Sequence, residues 1–246
     1  MNILVIGQSH VAAIRDAARV RREADPDRPR TRVIHTLEPR YAPEIEDEAG
    51  PAARFSPALL DTIRDQIDRH RPRVASVIGG NYHNALALVR HPRPFDFHLS
   101  GEPSPPLDPQ AEPVPEALVR AALEAGLARD RLRLTLLHAA IGPFVHLESP
   151  PPVRDDRFIA AAADAYFRAR GIARDGVAPA AVRYRIWRLN SGLFRTMVEE
   201  LGGTMLPVPP GVQDVDGFLR PDLAADATHG NAAYGEAMIR MLEGHR

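Results

Sequence analysis

The sequence predicts an α/β fold: one three-layer α/β/α domain over residues 1–246, built on a parallel five-stranded sheet. Three observations predict it. Short β-branched runs alternate with helical patterns along the chain, the arrangement that gives a sheet covered by helices. The runs lack in–out alternation, as strands buried on both faces do. And 246 residues, 44% hydrophobic and 26% charged, suffice to bury a substantial core.

The first strand is residues 3–6, Ile-Leu-Val-Ile, closed by Gly7. A helix follows over residues 11–24, with Val11, Ile14, Ala17 and Ala18 on its apolar stripe and Arg15, Arg19, Arg21 and Arg22 on its wet face. Residues 31–36 read as the second strand, followed by a turn-rich loop. Ser56-Pro57 supplies an N-cap and an N1 proline for a helix ending near His70, lined inside by Leu59, Leu60, Ile63 and Ile67. The third strand, 74–78, runs into Gly79-Gly80-Asn81. A helix over 115–127 precedes a fourth strand over 132–138, and 204–208 is the fifth. Residues 231–243 form a closing helix with Ala233, Ala237, Met238, Met241 and Leu242 inward.

Two stretches depart from this rhythm. Prolines at 92, 94, 103, 105, 106, 109, 113 and 115 predict an irregular surface loop or flap over 91–115. Residues 141–178 form a loop and helix excursion holding Pro150-Pro151-Pro152 and a helix near 156–170, and a long helical pattern follows over 179–201. Excursions at strand ends commonly shape ligand sites in α/β folds, so substrate choice is expected there.

Composition excludes several chemistries. The 31 basic residues are balanced by 32 acidic ones, for a net charge of −1, so no global field draws the chain to nucleic acid or to a membrane. All 31 are Arg. Without Lys there is no Schiff-base amine, P-loop lysine or Ser–Lys dyad, and without Cys no thiol nucleophile, disulfide or thiolate metal site. Covalent chemistry falls to Ser, Thr, Tyr, His or a carboxylate. The opening residues lack a signal-peptide pattern, and no apolar run nears the roughly eighteen residues of a membrane span; the expectation is a cytoplasmic protein.

Three segments at strand ends carry candidate chemistry. In Gly7-Gln8-Ser9-His10, the serine falls where the first strand yields to the first helix, beside the positive end of the helix dipole, where an oxyanion is stabilised. Serine in that place is also an ordinary N-cap. A serine nucleophile needs a base oriented by a third group; Asp226-Ala-Thr-His229 offers a carboxylate and an imidazole three residues apart before the last helix, a pattern that also occurs in plain turns. Asn81, after two glycines, offers an amide donor for an anionic oxygen, or a common turn residue.

Together the segments resemble the SGNH (GDSL-type) hydrolase superfamily, with its G-x-S block after the first strand, G-x-N block after the third and D-x-x-H before the last helix. The Pro150–Pro152 run, Arg188-Leu-Asn190 and the segment from His229 to Gly235 extend the likeness over most of the chain. The resemblance implies a flavodoxin-like strand order and a serine esterase or deacylase working through an acyl-enzyme on a small ester or an acylated, glycan-like substrate. It makes Ser9 the nucleophile, His229 the general base and acid, Asp226 its orienting partner and Asn81 an oxyanion donor, with the N–H of Ser9 a second. It requires neither metal nor cofactor. The chain departs from the pattern at Gln8, where Asp is commonest, and at Tyr82. The oxyanion glycine expected after the second strand has only Gly50 to fill it, behind the acidic run 44–48, which reads otherwise as a solvated loop.

Other readings are an acyltransferase using the same three residues and a degenerate SGNH-like binding domain. The opening Ile-Leu-Val-Ile-Gly mimics a dinucleotide-binding strand, but Ser9 and Ala12 stand where G-x-G-x-x-G needs glycines. His83, His91, His98, His138 and His146 lack metal-ligand spacing. Tyr184, Trp187 and Arg188 share a helix face and suit either core packing or sugar stacking.

Overall fold

The computed structural model describes residues 1–102 and 106–245. Pro103 and Pro105 of the proline-rich stretch lie outside the described residues. Five parallel strands, β1 (Ile3–Gly7), β2 (Thr31–His35), β3 (Arg73–Val77), β4 (Val145–Leu147) and β5 (Thr204–Leu206), form one sheet in the order β2-β1-β3-β4-β5. Along β1 every residue is buried; Ile3 and Val5 enter one core while Leu4 and Ile6 enter the other. Alternate side chains point to opposite faces, and both faces are covered, which makes the strand continuously apolar.

One covering layer holds α1 (Val11–Ala24) and α10 (Ala232–Gly244), whose Ile14, Ala17, Met238 and Ile239 pack with Val5 and Val77. The other holds α2 (Pro57–His70), α5 (Ala128–Ile141) and α9 (Ala180–Glu200), where Leu59, Ile63, Leu134, Leu137, Phe194 and Val198 close on Leu4 and Ile6. Ser56 caps α2 by accepting from the N–H of Leu59, and Pro57 takes N1. The architecture is the three-layer α/β/α arrangement expected, although α4 (Glu116–Gly126) leads directly into α5.

The fourth strand is not at 132–138. That stretch lies inside α5, and the strand is Val145–Leu147. Leucines at 132, 134 and 136 imitate strand alternation, but the buried positions are Asp130, Arg133, Leu134 and Leu137, a helical face. Leu, Arg and Ala favour the helix there, while a three-residue strand is too short to show any period. The helix near 156–170 is two pieces, α6 (Asp156–Ala162) and α7 (Ala165–Ala169), and a further short helix, α8 (Ile172–Asp175), lies beyond it. Asp155 and Asp164 each cap a new start. In α10, Met238 and Leu242 lie in the core and Ala237 and Met241 pack against it as expected, but Ala233 is exposed while Tyr234 and Gly235 are buried.

The proline-rich stretch is more regular than expected. Phe95–Asp96 pairs in parallel with Glu112–Pro113. Buried Asp96 accepts from the Arg185 guanidinium at 2.6 Å and from the N–H of Asp108 at 2.9 Å, pinning the stretch to α9. Among the described residues no helix is long and apolar enough to cross a membrane.

Candidate active site

In the order 2-1-3-4-5 the chain leaves β1 toward one side and later β3 toward the other, and a crevice opens between their carboxyl ends. Ser9 follows β1, and Gly79-Gly80-Asn81 follows β3. Gly7 permits this closeness: a Cβ there would stand 2.6 Å from Val77 Cγ2 and 2.7 Å from its carbonyl.

Ser9 does not cap α1; no side chain does. Its Oγ lies 2.8 Å from His229 Nε2, and His229 Nδ1 lies 2.9 Å from Asp226 Oδ2 and 3.0 Å from Oδ1. One tautomer satisfies both contacts: Nδ1–H donates to the carboxylate while Nε2 accepts from the serine hydroxyl. The local sequence builds the turn that does this. Asp226 Oδ1 accepts from the N–H groups of Thr228 and His229 at 2.8 and 2.9 Å, and the N–H of Ala225 donates to His229 O. Asn231 then caps α10, accepting from the N–H of Ala233 and Tyr234. Burial alone would raise the Asp226 carboxyl; hydrogen bonds from His229 and Thr228 override it and hold the group at about 2.

The β3 loop brings up the third element. Gly79 and Gly80 have φ of +71° and +82°, conformations that glycine adopts without strain, and a Cβ on Gly80 would meet Ser149 Cβ at 2.9 Å. Asn81 Oδ1 accepts from Asn84 Nδ2 at 2.6 Å at the start of α3 (Tyr82–Ala87). Asn81 Nδ2 has no protein partner among the described residues, which leaves an amide donor at this strand end. Gly50 is placed differently: it lies in an exposed turn and its N–H donates to Asp47 O at 2.9 Å. That donor is engaged locally, so Gly50 does not supply the expected free N–H.

Two neighbours of Ser9 acquire roles that the sequence did not reveal. Gln8 is buried; its Oε1 accepts from the N–H of Gly79 at 2.6 Å, and its Nε2 donates to Thr36 Oγ1 at 2.9 Å. Thr36 donates to Glu44 at 2.6 Å, and Arg133 bridges Glu44 to Asp130. The acidic run is thus not wholly a solvated loop, because Glu44 belongs to this buried network. A carboxylate at position 8 would face Glu44, which gives the glutamine amide a physical reason. His10 is buried, with its ring 5.0 Å from that of His229; burial, then the charges of His229 and His83, lower its pKa well below the ordinary value, so it walls the site as a neutral imidazole.

Trp187 is fully buried and donates to Ser149 O at 3.2 Å, so it packs. Tyr184 stays partly exposed beside Phe218 in an open groove of about 910 Å³. Arg188 donates to Glu102 at 2.8 Å and stands 3.7 Å from buried Glu148. Among the described residues no group of three His, Asp or Glu is placed to hold a metal ion.

No family model matches the chain, and no curated protein matches its sequence. Among solved structures it is similar to the periplasmic domain of a lipopolysaccharide acetyltransferase from Salmonella ser. Paratyphi A, at 12% identity and TM-score 0.47, over 98% of this chain and 82% of that one. It is also similar to a Streptococcus pneumonia protein provisionally described as a platelet activating factor, at 13% identity and TM-score 0.45, with the same coverage. At these values neither likeness carries an argument about the chemistry of this chain.

Proposed function

We propose that this chain is a serine acyl hydrolase of the SGNH type, acting on a small ester or an acylated, glycan-like substrate. The observation that supports the reading is the hydrogen-bonded series Ser9 Oγ, His229 Nε2, His229 Nδ1 and Asp226, at 2.8 and 2.9 Å. Such a series lets a hydroxyl lose its proton as it attacks.

In this reading Ser9 Oγ attacks the ester carbonyl carbon while its proton passes to His229 Nε2. Asp226 stabilises the imidazolium formed. The carbonyl oxygen becomes an oxyanion, held by Asn81 Nδ2 and the N–H of Ser9. As the tetrahedral intermediate collapses, the carbon–alkoxy bond breaks and His229 returns the proton to the departing alcohol. Water, deprotonated by the same imidazole, then attacks the acyl-enzyme and releases the acid and Ser9. An acceptor hydroxyl in place of water gives acyl transfer from the same intermediate.

The test is labelling by a fluorophosphonate probe, which reacts with an activated serine. Stoichiometric labelling of the wild-type chain, absent in a folded Ser9→Ala variant, is the expected result; an unlabelled wild-type chain sinks the reading. Product analysis with and without added alcohols separates hydrolysis from transfer.

A further inference from the structure

At the opposite end of α1 from Ser9, that helix and the start of β2 enclose a groove of about 290 Å³, lined by seven arginines and one carboxylate, Asp25. Most of those arginines are neutralised by acids on or beside α1 and α10. Arg21 is held by Glu243 at 2.7 Å and by Glu236, Arg19 faces Glu23 at 3.3 Å, and Arg28 faces Glu243 at 3.4 Å. Arg22, Arg30 and Arg32 have no carboxylate partner among the described residues, and Arg32 Nη1 is buried without any acceptor. Burial and the neighbouring charge of Arg30 lower the pKa of Arg32, a sign that two cations face one space unrelieved.

The backbone beneath the groove is tied down. Asn2 Oδ1 accepts from the N–H of Arg30 at 3.0 Å, and the N–H of Ile3 donates to Arg30 O at 3.0 Å, so the backbone carrying Arg30 and Arg32 is tied to β1. Ala18, Pro29 and Val33 supply apolar walls. The backbone thus places these three arginines around one groove, Arg22 and Arg30 exposed and Arg32 partly buried, and an anion bound there would relieve their mutual repulsion.

We propose that this groove is a binding site for a compact anion carrying two or more phosphate charges, separate from the Ser9 site. Guanidinium groups bind phosphate oxygens bidentately, and three of them without partners match a diphosphate better than a single carboxylate. Arg22 lies thirteen residues beyond Ser9, about 20 Å at 1.5 Å per helical residue, and β2 begins at the amino edge of the sheet. The ligand is thus not the ester being attacked at Ser9.

Titration calorimetry of the whole chain with inorganic pyrophosphate at low ionic strength tests this. Saturable one-to-one binding is expected, weakened at least about ten-fold in Arg30→Gln/Arg32→Gln, since charge-assisted hydrogen bonds are lost. The double variant should melt no lower than wild type without ligand, because it removes facing like charges. Ser9→Ala should bind pyrophosphate as wild type does, so failure of the esterase reading and failure of this one are distinguishable. Vesicles of phosphatidylcholine with and without phosphatidic acid identify the source: co-sedimentation with the acidic vesicles, lost in the double variant, assigns a lipid headgroup, and its absence alongside pyrophosphate binding assigns a free phosphate compound. No saturable pyrophosphate binding, or binding undiminished in the double variant, overturns the site.

Discussion

Gly235 of α10 and Ala13 of α1 meet backbone to backbone: a Cβ placed on Gly235 would overlap the carbonyl oxygen of Ala13 and come within 2.9 Å of the nitrogen of Ile14. α1 starts just after Ser9, and α10 starts just after His229. The separation of these helices therefore sets whether serine and imidazole touch, although the two are 220 positions apart in the chain.

Gly235→Ala should push the helices apart. Overpacking of this kind costs about 1–3 kcal/mol, or roughly 2–4 °C of melting temperature per kcal/mol in a domain of this size. Fluorophosphonate labelling should slow in the same variant while the fold persists. Labelling at the wild-type rate with an unchanged melt would show that the contact is not tight.

Asp226→Asn should keep the turn while losing the carboxylate that orients His229. Ester turnover should fall by on the order of 10⁴-fold, the cost of a misoriented or wrongly tautomerised imidazole. A loss below about ten-fold, measured as kcat/KM on a model ester, would remove Asp226 from the mechanism.

Asn81→Ala should lower kcat by on the order of 10²-fold with KM little changed, because an oxyanion donor acts mainly in the transition state. Asn84→Ala should give a smaller loss, since Asn84 only holds the Asn81 amide in place. A raised KM with kcat spared would instead make Asn81 a substrate-binding residue.

Gln8→Ala leaves the N–H of Gly79 and the Thr36–Glu44 pair short of a partner. Unsatisfied buried polar groups cost about 1–3 kcal/mol, so the urea midpoint should drop. Labelling should also slow, because Gln8 joins the Ser9 loop to the Asn81 loop.

Acid should destabilise the chain before its carboxylates titrate. Burial holds the imidazoles of His83 and His146 at about 3, against an ordinary value of 6.5. The folded form keeps both neutral while the unfolded chain takes up their protons, so stability is full above about pH 6.5 and lost progressively toward pH 3. The slope is about 1.4 kcal/mol per pH unit for each histidine. Urea melts at pH 7, 6 and 5 should show the decline, and His146→Leu should flatten it by one proton. An equal slope in the variant would contradict the assignment.

Much of the fold was legible because its signals are local. The apolar run of β1, the stripe of α1 and the Ser56-Pro57 start of α2 each declare themselves within a few residues. The error at 132–138 came from the same locality: alternating leucines satisfy both a strand and one face of a helix, and only packing against Phe194 and Val198 selects the helix. Ser9, Asp226, His229 and Asn81 stood out because each adjoins a strand end or helix start. Gln8, Glu44, Arg133 and Gly235 did not, since nothing in their neighbours along the chain marks the residues they touch in space.

By itself, the sequence determined the alternation of strands and helices, the exclusion of thiol and lysine chemistry, and the turn from Asp226 to Asn231, whose hydrogen bonds join residues close in the chain. Only the tertiary structure decided that Ser9 meets His229, that Gly50 does not offer a free donor, and that Arg22, Arg30 and Arg32 share one groove. Such contacts span long stretches of chain, and their geometry follows from how helices pack on a sheet, through backbone approaches like that of Gly235 to Ala13 that no short sequence pattern encodes.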